Sequence, residues 1–446
     1  MNKEAAMEYL STDKILLVDL ATGQSEEVEL DEGLVAEKIG GAAICKHLYD
    51  KYADQDPIVI GAGLLTGTLC PASAAAVIAA KSPRTQKLAF CPITYKVGIE
   101  IKYSGFDYIV VLGTSAKPVY LWIHDGVADI VDAAEIWGKD VWASTDSLRK
   151  LVGDDLLQTI MIGPAGENGS DFAQVCFNHW NSPDRFGFGK CFGAKKVKGF
   201  AFRGMGLLEV ADPSGFAERA FEILNSIKAE GLVSSHGVGA IAADLGDSQL
   251  AAWLAPLVHR NSADYFTPCA TNTFLFLDED PKLIEETKVS EPGVLVSDLP
   301  ALLALRAAGL SAAGAGQVLR ACAKQGMDPQ AVAALSAKLG KKDETEIIAA
   351  MNQLSGDVPL EGAGIFSPWA PMKPIFGKFE LASGNDAVHA WWERRQAIAA
   401  IFGIQPLFIL MSPSLNEENL LTLAQLGTKI DFTAETLDAV VSDICN

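Results

Sequence analysis

The sequence lacks closely spaced metal-ligating residues. It has eight cysteines among 446 residues, and no two of them form a C-x-x-C pair. Its six histidines include no His-Glu-x-x-His pattern. A local zinc or iron–sulfur motif is therefore absent from the sequence. We interpret the cysteines as buried, reduced thiols, because free cysteine is among the residue types most often buried.

Basic residues and long apolar runs are also scarce. The chain has 36 Lys+Arg against 56 Asp+Glu, a net charge of −20. Nucleic acids and anionic lipids bind basic surfaces, so neither is expected as a partner. The longest apolar run, residues 399–411, is too short to span a bilayer and is interrupted by Gly403 and Gln405. The first residues lack the apolar core of a signal peptide. We therefore expect a cytoplasmic protein without membrane insertion.

The composition and patterning predict an α+β protein. Hydrophobic residues make up 49% and charged residues 21% of the chain, as in ordinary globular proteins. At roughly 100–200 residues per domain, this length allows two or three domains. Short strands and hairpin turns dominate the first part, and helical periodicity dominates the rest. We predict a β-rich N-terminal domain over residues 1–210 and all-helical domains over 211–340 and 341–446.

The predicted elements follow from apolar periodicity and turn residues. Strands are predicted at 15–20, 25–30, 57–63, 75–81, 87–91, 107–113, 118–124, 127–133, 156–163, 171–177 and 197–203. Helices are predicted at 33–52, 134–151, 215–230, 237–259, 298–308, 311–325, 329–339, 343–354, 384–402, 416–425 and 433–444. Residues 355–380, rich in proline, glycine and aromatics, are predicted to form a long loop.

A glycine-rich loop follows the predicted strand 57–63. It has the sequence Gly61-Ala62-Gly63-Leu64-Leu65-Thr66-Gly67-Thr68. Its glycines would let backbone N–H groups approach a phosphate. The loop is not a P-loop, because no Gly-Lys-Ser/Thr ends it. A tight turn between a strand and a loop is the alternative, and both interpretations stay open.

A second glycine-rich stretch, residues 185–196, is the most basic segment of this acidic chain. It begins with Arg185 and contains Gly187, Gly189 and Lys195. Glycine backbone and lysines together are suited to holding an anionic cofactor, although the spacing does not determine which anion. The alternative is a glycine-rich turn into a short helix with solvated lysines.

The motifs of the first 210 residues together resemble the tungsten-dependent aldehyde:ferredoxin oxidoreductases. The resemblance rests on the segments GLLTGTLCPAS (63–73), AAKSPRT (79–85), IGPAGENGSDFA (162–173) and GKCFGAKKVKGFAFRG (189–204). The helical half is similar to the family only in weaker traces, such as HGVGAIAADLGD (236–247). The chain is also shorter than typical members. We therefore identify it as a degenerate, shortened relative.

The resemblance implies a fold, a cofactor set and an activity. In the family, the β-rich domain is the base for a tungsten bis-pterin cofactor, and the helical domains supply a [4Fe–4S] cluster. Aldehydes are oxidised to carboxylates, and the electrons leave through the cluster to ferredoxin. The resemblance implies residual cofactor contacts in this chain at Gly63, Thr66, Gly67, Arg185, Gly187, Gly189 and Lys195.

The cluster ligands of the family are mostly missing. The resemblance places the family's C-x-x-C-x-x-x-C segment at residues 266–273, where only Cys269 remains. The family's later cysteine corresponds to Gln405. A cubane cluster requires four ligands, so one retained cysteine cannot hold it. We expect no metal ligand set here.

The pterin contacts of the family are also largely replaced. The two acidic anchors correspond to Ser311 and Ala400, and a basic contact corresponds to Ala75. The glycine segment that approaches the cofactor corresponds to residues 92–95, and an upstream arginine corresponds to Asn181. These replacements remove hydrogen-bond donors and charges that a phosphate-bearing cofactor requires.

The sequence therefore predicts a family member that has lost the tungstopterin and the cluster. We expect a non-catalytic structural or regulatory subunit, paired with a catalytic relative, with an iron–sulfur electron carrier or with a second copy. One alternative is an active oxidoreductase for aldehydes or other oxo groups, with altered ligation of a tungsten or molybdenum bis-pterin and a [4Fe–4S] cluster. The other is a binder of a different anionic or nucleotide-like ligand.

Overall fold

The computed structural model describes residues 8–232, 236–277, 292–341, 343–356, 358–360, 364–381 and 383–446. Residues 357 and 361–363 of the predicted loop 355–380 lie outside this set, as do residues 1–7. The described residues of that loop contain no helix and no strand of a sheet, in agreement with the prediction.

Two sheets form the N-terminal part. The strands of the first are β1 (Lys14–Asp19), β2 (Gln24–Glu29), β3 (Ile58–Ala62), β4 (Ala76–Lys81), β5 (Leu88–Ile93) and β6 (Tyr108–Leu112). Those of the second are β7 (Val119–His124), β8 (Val127–Asp132), β9 (Gln158–Ile162), β10 (Val175–Phe177) and β11 (Val197–Arg203). The strand orders are β2-β1-β6-β3-β4-β5 and β10-β9-β11-β7-β8. The two sheets share one apolar core, to which Ile60 and Phe200 contribute.

The helices follow in chain order, most of them after β11. Their bounds are α1 (Glu32–Lys38), α2 (Gly41–Lys51), α3 (Val97–Tyr103), α4 (Val141–Val152), α5 (Pro164–Glu167), α6 (Phe188–Ala194), α7 (Pro213–Ala229), α8 (Gly237–Asp244), α9 (Leu250–Leu254), α10 (Leu299–Ala307), α11 (Ala312–Gln325), α12 (Pro329–Lys338), α13 (Glu344–Ala350), α14 (Asn385–Phe402), α15 (Glu417–Thr428) and α16 (Ala434–Cys445). Aspartates at the N-caps of α4, α10 and α12 satisfy free backbone N–H groups.

The helical part packs directly on the first sheet. Helix α2 lies between strands β3 and β4 on one side and helices α14 and α16 on the other. A single apolar core therefore contains Val59 of β3, Ile44 of α2 and Ile401 of α14. This packing brings the end of α14 against the loop that follows β3.

The α+β fold class is confirmed, with a β-rich N-terminal part and a helical part after it. The predicted helix 33–52 is wrong as one element, because Ile39 has φ 65° and separates α1 from α2. The prediction of all-helical domains after residue 210 is also wrong in one place. Strands β12 (Val258–Ser262), β13 (Asn272–Phe276) and β14 (Gly293–Val296) form a three-stranded sheet there.

The sheet of β12, β13 and β14 also shortens the predicted helix 237–259. Gly246, with φ 102°, breaks the helical run, and α9 ends at Leu254 before β12 begins. The domain boundaries at 210 and 340 stay predictions. Among the residues that the structure describes, no helix combines the length and apolar character that a bilayer crossing requires.

Candidate functional site

The glycine-rich loop after β3 is fastened to the end of α14 by backbone hydrogen bonds. Leu64 N donates to Ile401 O at 3.1 Å, and Leu65 N donates to Phe402 O at 2.9 Å. Further along, Ala75 N donates to Gly403 O at 2.9 Å, and Gln405 N donates to Ala72 O at 2.8 Å. The N-terminal part and the C-terminal helices therefore meet at this loop without an intervening layer.

The donors of the predicted phosphate loop are used within the protein. Besides Leu64 N and Leu65 N, Thr66 N donates to Gly63 O, Gly67 N to Ser73 O and Thr68 N to Leu65 O. The Thr66 hydroxyl donates to Ala75 O at 2.6 Å. A phosphate would have to displace these bonds. The geometry thus favours the tight turn over the anion cradle, while contacts by Gly63, Thr66 and Gly67 to a cofactor stay a prediction.

Gly63 provides the space for the close approach. A Cβ atom at this position would lie 2.0 Å from Gly403 N and 2.3 Å from Gly403 Cα. Both are backbone atoms that cannot rotate away. Gly63 is therefore required by backbone packing, for which glycine is the only residue small enough.

A buried lysine lies beneath this loop. The Lys102 ammonium group donates to Leu64 O at 3.1 Å and to Gly63 O at 3.3 Å, and Asp107 Oδ1 lies 3.9 Å away. Burial lowers the pKa of Lys102 to about 8, although the Asp107 carboxylate partly opposes the shift. Lys102 thus helps to fix the loop, and its charge is costly in this position.

Replacing Lys102 by methionine is expected to change how stability depends on pH. The pKa of Lys102 is about 8 in the folded chain against an ordinary value of 10.5, so the unfolded chain binds the proton more tightly. Wild-type stability should therefore rise between pH 8 and 10.5 relative to Lys102→Met, by about 3 kcal/mol in all. Urea unfolding at both ends of this range measures the difference.

The control for this prediction is a lysine on the surface. Lys117→Met removes a side chain that is 66% exposed, and its stability should follow that of the wild type across the same pH range. If Lys102→Met also runs parallel to the wild type, Lys102 titrates as an ordinary lysine and the burial argument fails.

Arg185 lies in a buried ion cluster with Asp298 and Asp328. Its Nη1 donates to Asp328 Oδ1 at 2.7 Å, and its Nη2 donates to Asp298 Oδ2. Burial opposes the charged form, but the two carboxylates raise the pKa of the Arg185 guanidinium above its usual value. Arg84 Nη1 donates to Arg185 O at 2.6 Å and lies 3.6 Å from Asp328 Oδ2. We call Arg185, Asp298 and Asp328 the Arg185 cluster.

The Arg185 cluster joins the N-terminal part to two helices. Asp298 caps α10 by accepting from Ala301 N at 3.0 Å, and Asp328 caps α12 by accepting from Gln330 N at 2.9 Å. Burial raises the pKa of Asp328, and the two arginine charges oppose that shift. The guanidinium that the resemblance assigns to a cofactor therefore neutralises carboxylates of the protein itself.

The other candidate residues of the basic stretch, Gly187, Gly189 and Lys195, do not form a single ligand site with Arg185. A Cβ atom at Gly187 would lie 2.6 Å from Asp171 O, and one at Gly189 would lie 2.6 Å from Gln174 O. These glycines therefore allow α6 to pack against the backbone of residues 171–174. The Lys195 ammonium group donates to Gly113 O at 3.2 Å, and burial lowers its pKa. Their role as cofactor contacts stays a prediction.

The position of the family's later cluster cysteine is held by a hydrogen-bonded glutamine. Gln405 Nε2 donates to Asp264 Oδ2 at 3.1 Å, and Asn272 Nδ2 donates to Asp264 Oδ1 at 2.9 Å. Gln405 Oε1 accepts from Phe408 N at 2.6 Å. Burial raises the pKa of Asp264, and these two amides oppose the shift. We call Gln405, Asp264 and Asn272 the Gln405 network.

The residues around Cys269 do not fit a [4Fe–4S] cluster. Cys269 is 3% exposed, and it is the one cysteine in the segment 266–273, where the resemblance places three of the family's cluster ligands. The nearby hydroxyls of Thr267 and Thr271 are buried without a hydrogen-bond partner. In the described part of the chain, no cluster of three or more His, Cys, Asp or Glu side chains is arranged to hold a metal ion.

The positions that the resemblance assigns to the pterin do not fit that cofactor either. Ser311 caps α11 by accepting from Gly314 N at 3.0 Å, and Ala75 and Ala400 offer only backbone groups. Tyr95 hydrogen-bonds through its hydroxyl to Ser297 Oγ at 2.9 Å, and Asn181 Nδ2 donates to Leu319 O at 2.9 Å. These side chains connect the two parts of the protein and present no charge to an anionic ligand.

Sequence reasoning did not identify the acidic partners of Arg185. The motifs Asp298-Leu299-Pro300 and Asp328-Pro329 predict helix starts, because aspartate caps helices and proline suits the first turn. In Asp298 the cap uses Oδ1 and Arg185 binds Oδ2, whereas in Asp328 the single oxygen Oδ1 accepts from both Gln330 N and Arg185. Nothing in the sequence spacing places either oxygen against Arg185.

The N-terminal part matches a known domain family. Residues 15–204 match the model of the aldehyde ferredoxin oxidoreductase N-terminal domain. A tungsten-containing aldehyde ferredoxin oxidoreductase of Pyrococcus abyssi is 34% identical over 223 residues, covering 48% of this chain and 37% of the relative. An aliphatic sulfonate oxidoreductase, WOR-like subunit, of Pyrococcus furiosus is 29% identical over 228 residues, covering 46% and 36%. The chain thus matches little more than a third of the length of these curated relatives.

A solved structure extends the similarity over the whole fold. The active site complex BamBC of benzoyl coenzyme A reductase, in complex with 1,5 dienoyl-CoA, contains a chain that covers 98% of this one. The match covers 88% of that chain with a TM-score of 0.78 and 18% identity, so it shows a shared fold. The N-terminal domain match and the relatives agree with the predicted resemblance. Over residues 15–204, the chain is similar to the N-terminal domain of the aldehyde ferredoxin oxidoreductases.

Proposed function

We propose that this chain is a non-catalytic member of its family and acts as a structural or regulatory subunit. The observation that carries the proposal is the Gln405 network, which occupies the position that the resemblance assigns to one of the family's cluster cysteines. Hydrogen bonds between Gln405, Asp264 and Asn272 fill that position with neutral amides around one carboxylate. Amide groups are not ligands for an iron–sulfur cluster.

The Arg185 cluster supports the same proposal for the pterin. A bis-pterin cofactor carries phosphates, which require cations or free backbone donors. Arg185 already pairs with Asp298 and Asp328, and Arg84 lies 3.6 Å from Asp328, so the charges of these two arginines and two carboxylates balance within the protein. The N–H groups of the loop 64–68 donate within the protein as well.

Two of the similar proteins are parts of larger assemblies, which supports a subunit role. One curated relative is a WOR-like subunit of an aliphatic sulfonate oxidoreductase, and the solved structure is a complex, BamBC. We propose that this chain likewise works within an assembly, in the cytoplasm, together with a catalytic relative or an iron–sulfur electron carrier. Its contribution would be to bind and position a partner.

Anaerobically purified protein is expected to show no aldehyde oxidation. Without a cluster, electrons have no route to an acceptor, so aldehydes should not reduce a viologen dye in its presence. The visible spectrum should lack the broad absorption of iron–sulfur proteins. An active family enzyme, purified in parallel, serves as the positive control. Aldehyde-dependent dye reduction by this chain would instead support an active oxidoreductase with altered cofactor ligation.

A further inference from the structure

An exposed apolar groove lies between the segment that carries Cys269 and the linker that enters α7. It is lined by apolar and aromatic side chains that include Leu69, Tyr103, Met205, Leu207, Tyr265 and Phe266. The cavity volume is about 570 Å³. The groove therefore adjoins both the loop after β3 and the segment that precedes Cys269, through Tyr265 and Phe266.

Two side chains of the groove are almost fully exposed. Leu207 is 90% and Met205 is 82% exposed, and Phe266 is 46% exposed. Scattered single apolar residues on a surface need no explanation, but a contiguous group in a concave site is characteristic of binding surfaces. Covering these side chains would remove apolar area from water, which favours association.

Hydrogen bonds hold the backbone of the linker in a defined position. Gly206 N donates to Tyr103 O at 2.9 Å, and Met205 N donates to Asp125 Oδ1 at 3.2 Å. Farther along the linker, Glu209 O accepts from Leu10 N at 2.8 Å. Because the linker is fixed at both ends, its backbone would lose little conformational entropy when a partner covers it.

Two acidic residues adjoin the lining residues of the groove in the sequence. None of the residues that line it is charged, and Glu209 and Asp212 lie exposed beside its lining residues. The nearest basic side chains in sequence are already engaged, since Lys102 is buried under the loop and Arg203 pairs with Asp154 and Glu100. The whole chain has a net charge of −20, which opposes pairing with a second copy.

We propose that this groove docks an apolar segment of a different protein chain, flanked by lysine or arginine. This rests on the proposed function as a subunit and assigns that function a surface. The apolar centre of the segment covers Met205, Leu207 and Phe266, and its basic flanks face Glu209 and Asp212. Apolar contact supplies the affinity, while the charges select the partner.

The test uses the full chain and two labelled peptides. Both contain the core Leu-Phe-Leu-Met, which is flanked by pairs of lysines in one peptide and by pairs of glutamates in the other. Fluorescence anisotropy measures their binding to the wild type, to Leu207→Glu and to Met205→Glu. The matched control is Leu151→Glu, because Leu151 is 71% exposed in α4 and does not line the groove.

We expect the lysine-flanked peptide to bind the wild type and Leu151→Glu with equal affinity. It should bind Leu207→Glu and Met205→Glu at least tenfold more weakly than it binds the wild type. The glutamate-flanked peptide should bind the wild type at least tenfold more weakly than the lysine-flanked one. Equal binding to all variants, equal binding of both peptides or no binding would overturn the proposal. A wild-type dimer in sedimentation velocity that Leu207→Glu dissociates would assign the groove to a second copy instead. Metal content is independent of these variants, so failure here and failure of the proposed function are separable.

Discussion

Replacing Arg185 by methionine is expected to lower the free energy of unfolding by about 3–5 kcal/mol. The substitution removes the cation that pairs with the buried Asp298 and leaves the buried Asp328 with Arg84, 3.6 Å away. Removing one partner of a buried ion pair is much more costly than removing both, because the remaining charge keeps its desolvation penalty. Urea unfolding followed by tryptophan fluorescence measures the loss.

Two further variants separate the charge effect from the loss of packing. The triple variant Arg185→Met, Asp298→Asn, Asp328→Asn keeps the caps of α10 and α12, because asparagine also caps helices. It should recover more than half of the stability that Arg185→Met loses. Arg394→Met removes an arginine from a surface cluster with Glu417 and Asp438 and should cost about 1 kcal/mol or less. If Arg185→Met costs no more than Arg394→Met, the Arg185 cluster does not join the two parts of the protein.

Replacing Gly63 by alanine is expected to destabilise the chain by about 3 kcal/mol or more. The added methyl group would lie 2.0 Å from Gly403 N, so the loop and the end of α14 would have to separate. Separation weakens the bonds from Leu64 N to Ile401 O and from Leu65 N to Phe402 O. Overpacking costs about 1–3 kcal/mol, and each lost hydrogen bond adds about 1 kcal/mol.

Gly33→Ala is the matched control for Gly63→Ala. A Cβ atom at Gly33, in the first turn of α1, meets only the carboxylate of Asp31, at 2.9 Å. Displacing this oxygen weakens the N-cap of α1, in which it accepts from Leu34 N at 2.9 Å, but alanine is favoured over glycine in a helix. The two effects oppose each other, so the change should stay within about 1 kcal/mol. Thermal and urea midpoints of both variants give the comparison. A Gly63→Ala protein as stable as the wild type would mean that the loop has room above it for a ligand.

The N-terminal strands were predictable because their signals are local. Strand β6 is a short apolar run that is followed by Gly113. The hairpin between β7 and β8 turns at Asp125-Gly126, where both residues have positive φ. These patterns need no knowledge of distant residues. The same is true of α10 and α12, whose aspartate caps and prolines are visible in the sequence.

The missed elements depend on contacts between distant segments. Strand β12 has mostly exposed side chains, so it shows no apolar alternation, and it exists because β13 pairs with it. The separation of α1 from α2 occurs at Ile39, which adopts φ 65°, a conformation that side chains other than glycine rarely take. The helical spacing of apolar residues continues across residues 33–52, so the sequence pattern does not indicate a break at Ile39.

The sequence indicates which family residues are replaced at the candidate site, but not which contacts the replacing residues make. The resemblance identified Gln405 and the single Cys269 by position in the sequence. That Gln405 binds Asp264, 141 residues away, is a property of the fold. Likewise, Arg185 was identified as a retained family residue, but its pairing with Asp298 and Asp328 follows from how the helical part packs on the N-terminal part.

Metal analysis of anaerobically purified, full-length protein tests the central claim most directly. The Gln405 network and the Arg185 cluster predict protein without tungsten, molybdenum or iron at stoichiometric levels, measured by inductively coupled plasma mass spectrometry. The measurement should be made on protein from cells supplied with tungstate, molybdate and iron, beside an active family enzyme from the same cells. Stoichiometric tungsten or molybdenum together with a full complement of cluster iron would contradict the account.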